Sequence, residues 1–138
     1  VYHRRKTYKW YQQRKSATGC PFCDPDEISY RIHEETDHFY VILNNPPYYI
    51  WENHHVLEHL LVIPKRHADT LSDFSDAELL EYGRITGRYE TNDYSIYARS
   101  DTNPRRSVTH QHTHLIKIDR AQPRFTVYIR KPYLLIHK

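Results

Sequence analysis

This chain is poor in the features that would place it outside a cell or in a membrane. Its 138 residues include only two cysteines, Cys20 and Cys23, separated by Pro21 and Phe22. That spacing is wrong for stapling distant parts of a secreted scaffold and right for a metal or redox pair, so a reducing compartment is expected. No apolar run approaches the ~20 residues that a membrane-spanning helix needs, and no charged-then-apolar leader marks secretion. The expected location is therefore cytoplasmic, with no membrane partner. Methionine is absent, so Val1 is not expected to be the encoded start. Apolar residues are modest at 38% against 27% charged, yet 13 tyrosines and 2 tryptophans supply large surfaces for a core. Repeats and low-complexity segments are absent too. The length suits one compact domain that folds without disulfides.

Acidic residues are missing from the first 23 positions, although the net charge of the whole chain is only +3. Arg4, Arg5, Lys6, Lys9, Arg14 and Lys15 are interleaved there with Tyr2, Tyr8, Trp10 and Tyr11. Basic and aromatic residues mixed in this way can grip a phosphate backbone and stack on bases, so nucleic acid is one expected partner. A solvated basic helix whose aromatics pack on the body of the protein fits the same residues and is the more common arrangement. Thr7–Lys15, free of Gly and Pro, reads as that helix.

Downstream, Tyr30–Ile32 and Phe39–Leu43 have the β-branched and aromatic bias of a hairpin's two strands. Asn44-Asn45-Pro46-Pro47 must stop the second. Pro46 to Glu58 reads as an irregular excursion rich in Tyr, Trp and His, in which Tyr48, Tyr49 and Trp51 suit a lid, a base-stacking wall or a partner patch. Leu60-Leu61-Val62-Ile63, bounded by Pro64, reads as a central strand covered on both faces. Ser75-Asp76-Ala77-Glu78 matches a capping box and starts a helix running to about Tyr89, with Ala77, Leu80 and the 83–84 region on one side. Asp93–Ala98, Ser107–Ile118 and Phe125–Ile129 complete the expected strands.

Within Ser107–Ile118 lie His110, His112 and His114 at alternate positions. In a strand, side chains alternate between faces, so all three imidazoles would project from one surface. Imidazole titrates nearest neutrality, and such a cluster can combine a nucleophile, a proton donor and a metal or phosphate ligand in one small volume. The run is internal and flanked by β-branched and aliphatic residues, unlike a purification tag.

Four blocks in this order, Cys20-Pro21-Phe22-Cys23, Glu58 to His67 with its Pro64-Lys65-Arg66-His67 ending, Leu71 to Ser75 leading into the capped helix, and His110 to Ile116, closely resemble the histidine-triad (HIT) superfamily. A lone C-x-x-C or H-x-H would be weak, but their order over residues 20 to 118 is specific. The resemblance implies an α+β fold, with a mostly antiparallel sheet of about five strands and a packed helix, often as a homodimer. It divides the chain into a basic N-terminal helical extension (1–19), the HIT domain (20–122) and a C-terminal strand extension packed on the same domain (123–138).

The resemblance also implies a nucleotide hydrolase or nucleotidyl transferase acting at the α-phosphate of a nucleotide conjugate or dinucleoside polyphosphate. A neutral imidazole suits attack on a phosphorus centre whose oxygens repel anions, with a covalent nucleotidyl-histidine as intermediate. Carried onto this sequence, His112 is the nucleophile, His114 contacts the phosphate or departing oxygen and helps pass it a proton, and His59 lies near the phosphate. The amides of Ser107 and Val108 donate to phosphate oxygens, and Asn44 meets the ribose hydroxyls. Cys20, Cys23, His67 and His110 match the Zn²⁺ ligands of a branch similar in this respect to galactose-1-phosphate uridylyltransferases, and a closed Cys₂His₂ set implies a structural ion. The glycine-rich loop usual before the triad is replaced by Ser100 to Arg106, where Arg105 and Arg106 can instead reach further phosphates. Gln111 and Thr113 stand where many members are apolar, which points to a less buried reverse face or a polar partner there. Two other readings stay open: a non-enzymatic nucleotide or nucleic-acid binding module with a structural zinc, and a phosphorylase using phosphate as acceptor.

Overall fold

The computed structural model describes residues 19–121, together with the backbone of two strands at 126–130 and 133–137. The expected helix over Thr7–Lys15 and the basic N-terminal segment lie outside the described residues. After the cysteine knuckle come helix α1 (Pro25–Ile28), a 3₁₀ turn (Ser29–Arg31), strands β1 (Ile32–Glu35), β2 (Phe39–Leu43), β3 (Ile50–Trp51) and β4 (His54–Pro64). A second 3₁₀ turn (Leu71–Asp73) leads to helix α2 (Asp76–Glu90), followed by β5 (Tyr94–Tyr97) and β6 (Thr113–Ile118). Strands β7 (Thr126–Arg130) and β8 (Tyr133–His137) form a separate antiparallel pair. The main sheet is antiparallel with order β1-β2-β4-β6-β5, and β3 pairs with β4 beyond the end of β2. The expected α+β architecture with a mostly antiparallel sheet is therefore the one observed. No helix among the described residues is long and apolar enough to cross a membrane.

Strand β4 is central, and its alternation sorts the molecule into two sides. Leu60 and Val62 join Phe39, Val41, Phe74, Ile85, Tyr89 and Leu115 in a core under helix α2. Leu61 and Ile63 face the opposite way and join Phe22, Ile28, Ile42 and Val108. Period-two alternation places His59 on the same side as Leu61, and the β4–β6 register sets Leu61 opposite His114. His59 and His114 thus share the face away from the helix.

Helix α2 begins at the expected capping box, with Glu78 N–H donating to Ser75 Oγ at 3.3 Å and Ser75 N–H to Glu78 Oε2 at 2.7 Å. Its buried side differs from the expected one: Glu78, Ile85, Thr86 and Tyr89 face the sheet, whereas Leu80 is 58% exposed. The bulkier stripe packs because it fills the hollow beside Phe39 and Phe74.

Other departures have local causes. The first hairpin strand starts at Ile32 rather than Tyr30, because Asp24 caps α1 by accepting from Asp26 N–H at 3.0 Å, with Pro25 at the first helical position. Half of the expected excursion is a hairpin, since Glu52 and Asn53 take positive φ (49° and 65°) and join β3 to β4 through a two-residue turn. Strand β6 begins only at Thr113. Its pairing with β4 runs to Val62↔Thr113, and two residues further the same register would set Gln111 opposite Pro64, which has no N–H to give. Gln111 N–H donates instead to Ala68 O at 2.7 Å. Gln111 and Thr113 are both buried, correcting the expectation of a more open reverse face. The polar partner considered there is Tyr82 of α2, whose hydroxyl lies 2.9 Å from Thr113 Oγ1.

Two measurements follow. Thr113→Val leaves the half-buried Tyr82 hydroxyl without its partner and should cost about 1 kcal/mol, whereas adding Tyr82→Phe should restore part of that loss in denaturant melts. Glu78 takes a two-pronged bond from Arg66 (Nε and Nη2, both 2.7 Å), which holds its carboxyl down at about 2 against the opposing effect of burial. A folded value below the ordinary 4.5 contributes stability that is present above pH 4.5 and lost as pH falls toward 2. Glu78→Gln should flatten that acid limb in urea titrations at pH 3 and pH 6.

Candidate active site and metal centre

On the sheet face away from α2, the histidines divide into two groups. His110 is fully buried and turns its Nδ1 toward the knuckle, 3.4 Å from both the Cys20 and Cys23 sulfurs. His67, just beyond β4, brings its Nδ1 to 3.3 Å from Cys23 Sγ. The four ligand atoms of Cys20, Cys23, His67 and His110 lie within 4.8 Å of one another and can hold a metal ion. Each imidazole also donates from its far nitrogen to an oxygen: His110 Nε2–H to Pro64 O at 3.0 Å, and His67 Nε2–H to Asp69 Oδ1 at 3.0 Å. Those bonds put the protons on Nε2 and the Nδ1 lone pairs on the sulfur side, as metal ligation requires. Burial above all pushes His110 down to about 4, which keeps it in the uncharged form a ligand needs. The sulfur–nitrogen contacts are close to the roughly 3.5 Å edge of a tetrahedral zinc site. The donor set thus fits a four-ligand ion.

His112 belongs to the other group. Its Nδ1–H donates to the His110 carbonyl at 2.8 Å, so the lone pair sits on Nε2, which has no partner among the described residues. Burial drives His112 down to about 4, with the Arg106 and Arg99 charges acting the same way against the opposing His110 carbonyl bond. Phe22 braces the ring from one side at 5.5 Å between centroids, and His114 lies 5.3 Å away. Nε2 is not fully buried, since among the described residues only Trp51 Nε1 is a buried side-chain nitrogen or oxygen without a partner, and His112 lies outside the metal cluster. The expectation that all three imidazoles project from one strand surface is thus corrected. His110 and His112 precede β6, and only His114 stands on it.

His114 and His59 are buried together, with His59 Nε2 and His114 Nδ1 2.8 Å apart. Tyr48 N–H donates to His59 Nδ1 at 2.9 Å. Asn44 follows β2, its main-chain N–H bonded to His59 O at 2.9 Å, and its side-chain amide lies 3.2 Å from the His59 ring and donates to Pro46 O. The amides of Ser107 and Val108 donate to no other described residue. Arg105 is exposed. Arg106 is occupied: its guanidinium donates to Asp69 O, to Thr109 O at 2.6 Å, to Gln111 Oε1 at 3.2 Å and to Val108 O at 3.3 Å. It braces the triad loop against the His67 loop instead of standing free for phosphates.

Two site residues, Arg99 and Tyr97, escaped the sequence reading. Arg99 donates from Nη2 to Tyr48 Oη at 2.6 Å and sets Nη1 3.2 Å from His114 Nε2. Tyr48 and Trp51, expected as a lid or stacking wall, are buried behind the histidines, stacked on each other at 5.9 Å and 8°. Tyr97 packs on both Trp51 and His114. Arg99 lies two residues beyond Tyr97, the last residue of β5, whose register partner is His114.

No protein-family model and no curated protein matches the chain. Solved structures do. A HIT family hydrolase from Clostridium thermocellum superposes with a TM-score of 0.56 at 18% identity, over 76% of this chain and 95% of that one. A diadenosine triphosphate hydrolase from Plasmodium falciparum gives 0.55 at 18%, over 67% of this chain and 63% of that one. A histidine triad nucleotide-binding protein from Candida albicans gives 0.52 at 25%, over 73% and 76%. With this sheet order, a histidine-bearing strand beside the central one and these likenesses, the chain has the fold of the histidine-triad superfamily.

Proposed function

We propose that the protein is a nucleotide hydrolase or nucleotidyl transferase that works through a covalent nucleotidyl-His112. The observation that carries this reading is the direction of the His112 ring: Nδ1–H is spent on the His110 carbonyl, and Nε2 is left with a lone pair and no described partner. In the first step that pair forms an N–P bond at the α-phosphate. The bond from phosphorus to the departing oxygen breaks, its electron pair leaves with that oxygen, and His114 hydrogen-bonds it. In the second, water adds to phosphorus, the N–P pair returns to Nε2, and the proton of the water passes to the released phosphate or to bulk water. The Ser107 and Val108 amides suit the α-phosphate oxygens, a use of fixed dipoles where charge grows. Asn44, whose amide nitrogen is held by Pro46 O, has its Oδ1 to accept from a ribose hydroxyl. The diadenosine triphosphate hydrolase among the similar structures makes dinucleoside polyphosphates the first substrates to test.

In the same reading Cys20, Cys23, His67 and His110 hold a structural Zn²⁺, which ties the knuckle to the catalytic loop and has no position left for substrate.

His112→Ala should lower release of nucleoside monophosphate from diadenosine triphosphate by at least ~10³-fold with nucleotide affinity changed little. Mass spectrometry of the wild-type reaction should show a nucleotide linked to His112, and a variant that retained turnover would overturn the mechanism. For the metal, Cys20→Ser should bind less than one zinc per chain by elemental analysis and melt at a lower temperature, and zinc content equal to wild type would reject the four-ligand site.

A further inference from the structure

Arg99 stands apart from the phosphate-handling residues that the sequence pointed to. Arg105 lies on the surface and Arg106 is committed to loop carbonyls, so neither offers a prepared cation to the site. Arg99 does. Its Nη2 is fixed to Tyr48 Oη at 2.6 Å, and its guanidinium lies over the Tyr97 and Tyr48 rings at 5.5 and 5.9 Å. Tyr48 is itself stacked against Trp51 and buried, so the anchor is rigid. The side chain is half-buried, which leaves it reachable by a ligand.

The hydrogen-bond chain behind Arg99 gives it a direction. Tyr48 N–H must donate, so His59 Nδ1 accepts, and in an uncharged ring the proton is then on Nε2. That proton donates to His114 Nδ1 at 2.8 Å, which in turn puts the His114 proton on Nε2. Arg99 Nη1–H stands 3.2 Å from His114 Nε2. The two groups are too close for an atom to fit between them, but an anionic oxygen seated alongside can bond both. An uncharged His114 can lend that hydrogen bond, whereas giving up the proton would leave an imidazolate. A departing group served this way must be stable as an anion itself.

Resting on the nucleotidyl-His112 reading, we propose that Arg99, anchored by Tyr48 and facing His114, seats the negative charge of the departing group. It thereby selects substrates whose leaving group is a phosphate chain over those that release a neutral amine. The phosphate oxygen departs with the P–O electron pair and is held by one neutral and one charged donor, so no net proton is needed. An amine has to be protonated as it leaves and gains nothing from a fixed cation.

The test uses the full chain. Calorimetry with ADP and with adenosine should show Arg99→Gln weakening ADP by about 10- to 100-fold while adenosine changes little. In turnover, kcat/KM for diadenosine triphosphate should fall at least tenfold more than kcat/KM for adenosine 5′-phosphoramidate. Unchanged ADP affinity, or equal losses on both substrates, overturns the assignment. A wild type that hydrolyses neither substrate, yet loses ADP affinity on Arg99→Gln, supports the anion seat and overturns the catalytic reading instead. Arg99→Lys covers the case in which the glutamine variant fails to fold. A lysine can reach Tyr48 or the anion but not both, and should bind ADP about tenfold more weakly; wild-type affinity in that variant overturns the proposal.

Discussion

The placement of His110 is the constraint on which the site depends. Its ring is held between the Pro64 carbonyl and two cysteine sulfurs, and its own carbonyl takes the Nδ1–H of His112. One buried residue thus joins the knuckle, the end of the central strand and the direction of the His112 ring. A shift of its backbone would turn the His112 ring with it, because a hydrogen bond weakens steeply as its angle closes.

The second organising element is the pairing of β6 with β4. Thr113 and Leu115 go to the helix side, where Tyr82 meets the threonine hydroxyl, and His114 and Ile116 go to the other. The triad segment is therefore of two kinds. Its last histidine is placed by sheet register and its first two by loop bonds, with Arg106 drawing Thr109 and Val108 carbonyls and Gln111 bonding Ala68. A glycine-free loop can hold this path because a guanidinium supplies the donors that keep it folded back.

Much of this was legible in residue order. The apolar run 60–63, the Ser75/Glu78 box and the Phe39–Leu43 strand are local patterns whose physics acts within a few residues, and each stands where it was expected. The Glu52–Asn53 turn was not legible, since Glu rarely takes positive φ. Nor was the early end of the histidine strand. Alternation favoured a continuous strand, and only the partner's Pro64 stopped it. On helix α2, the sequence pattern favoured Ala77 and Leu80 as the packed side, but Phe39 and Phe74 take the tyrosine and isoleucine stripe instead.

The sequence by itself determined the strands and the capped helix, because alternation and capping are short-range properties of the chain, and its resemblance to the histidine-triad superfamily implied the cluster of cysteine and histidine donors. Tertiary structure alone decided that His110 and His112 stand before the strand, which carbonyl holds the His112 ring, and that Arg99 rather than Arg106 stands beside His114. Those outcomes rest on the register between strands far apart in sequence and on competition among buried donors for a few carbonyls, neither of which is written in the spacing of neighbouring residues.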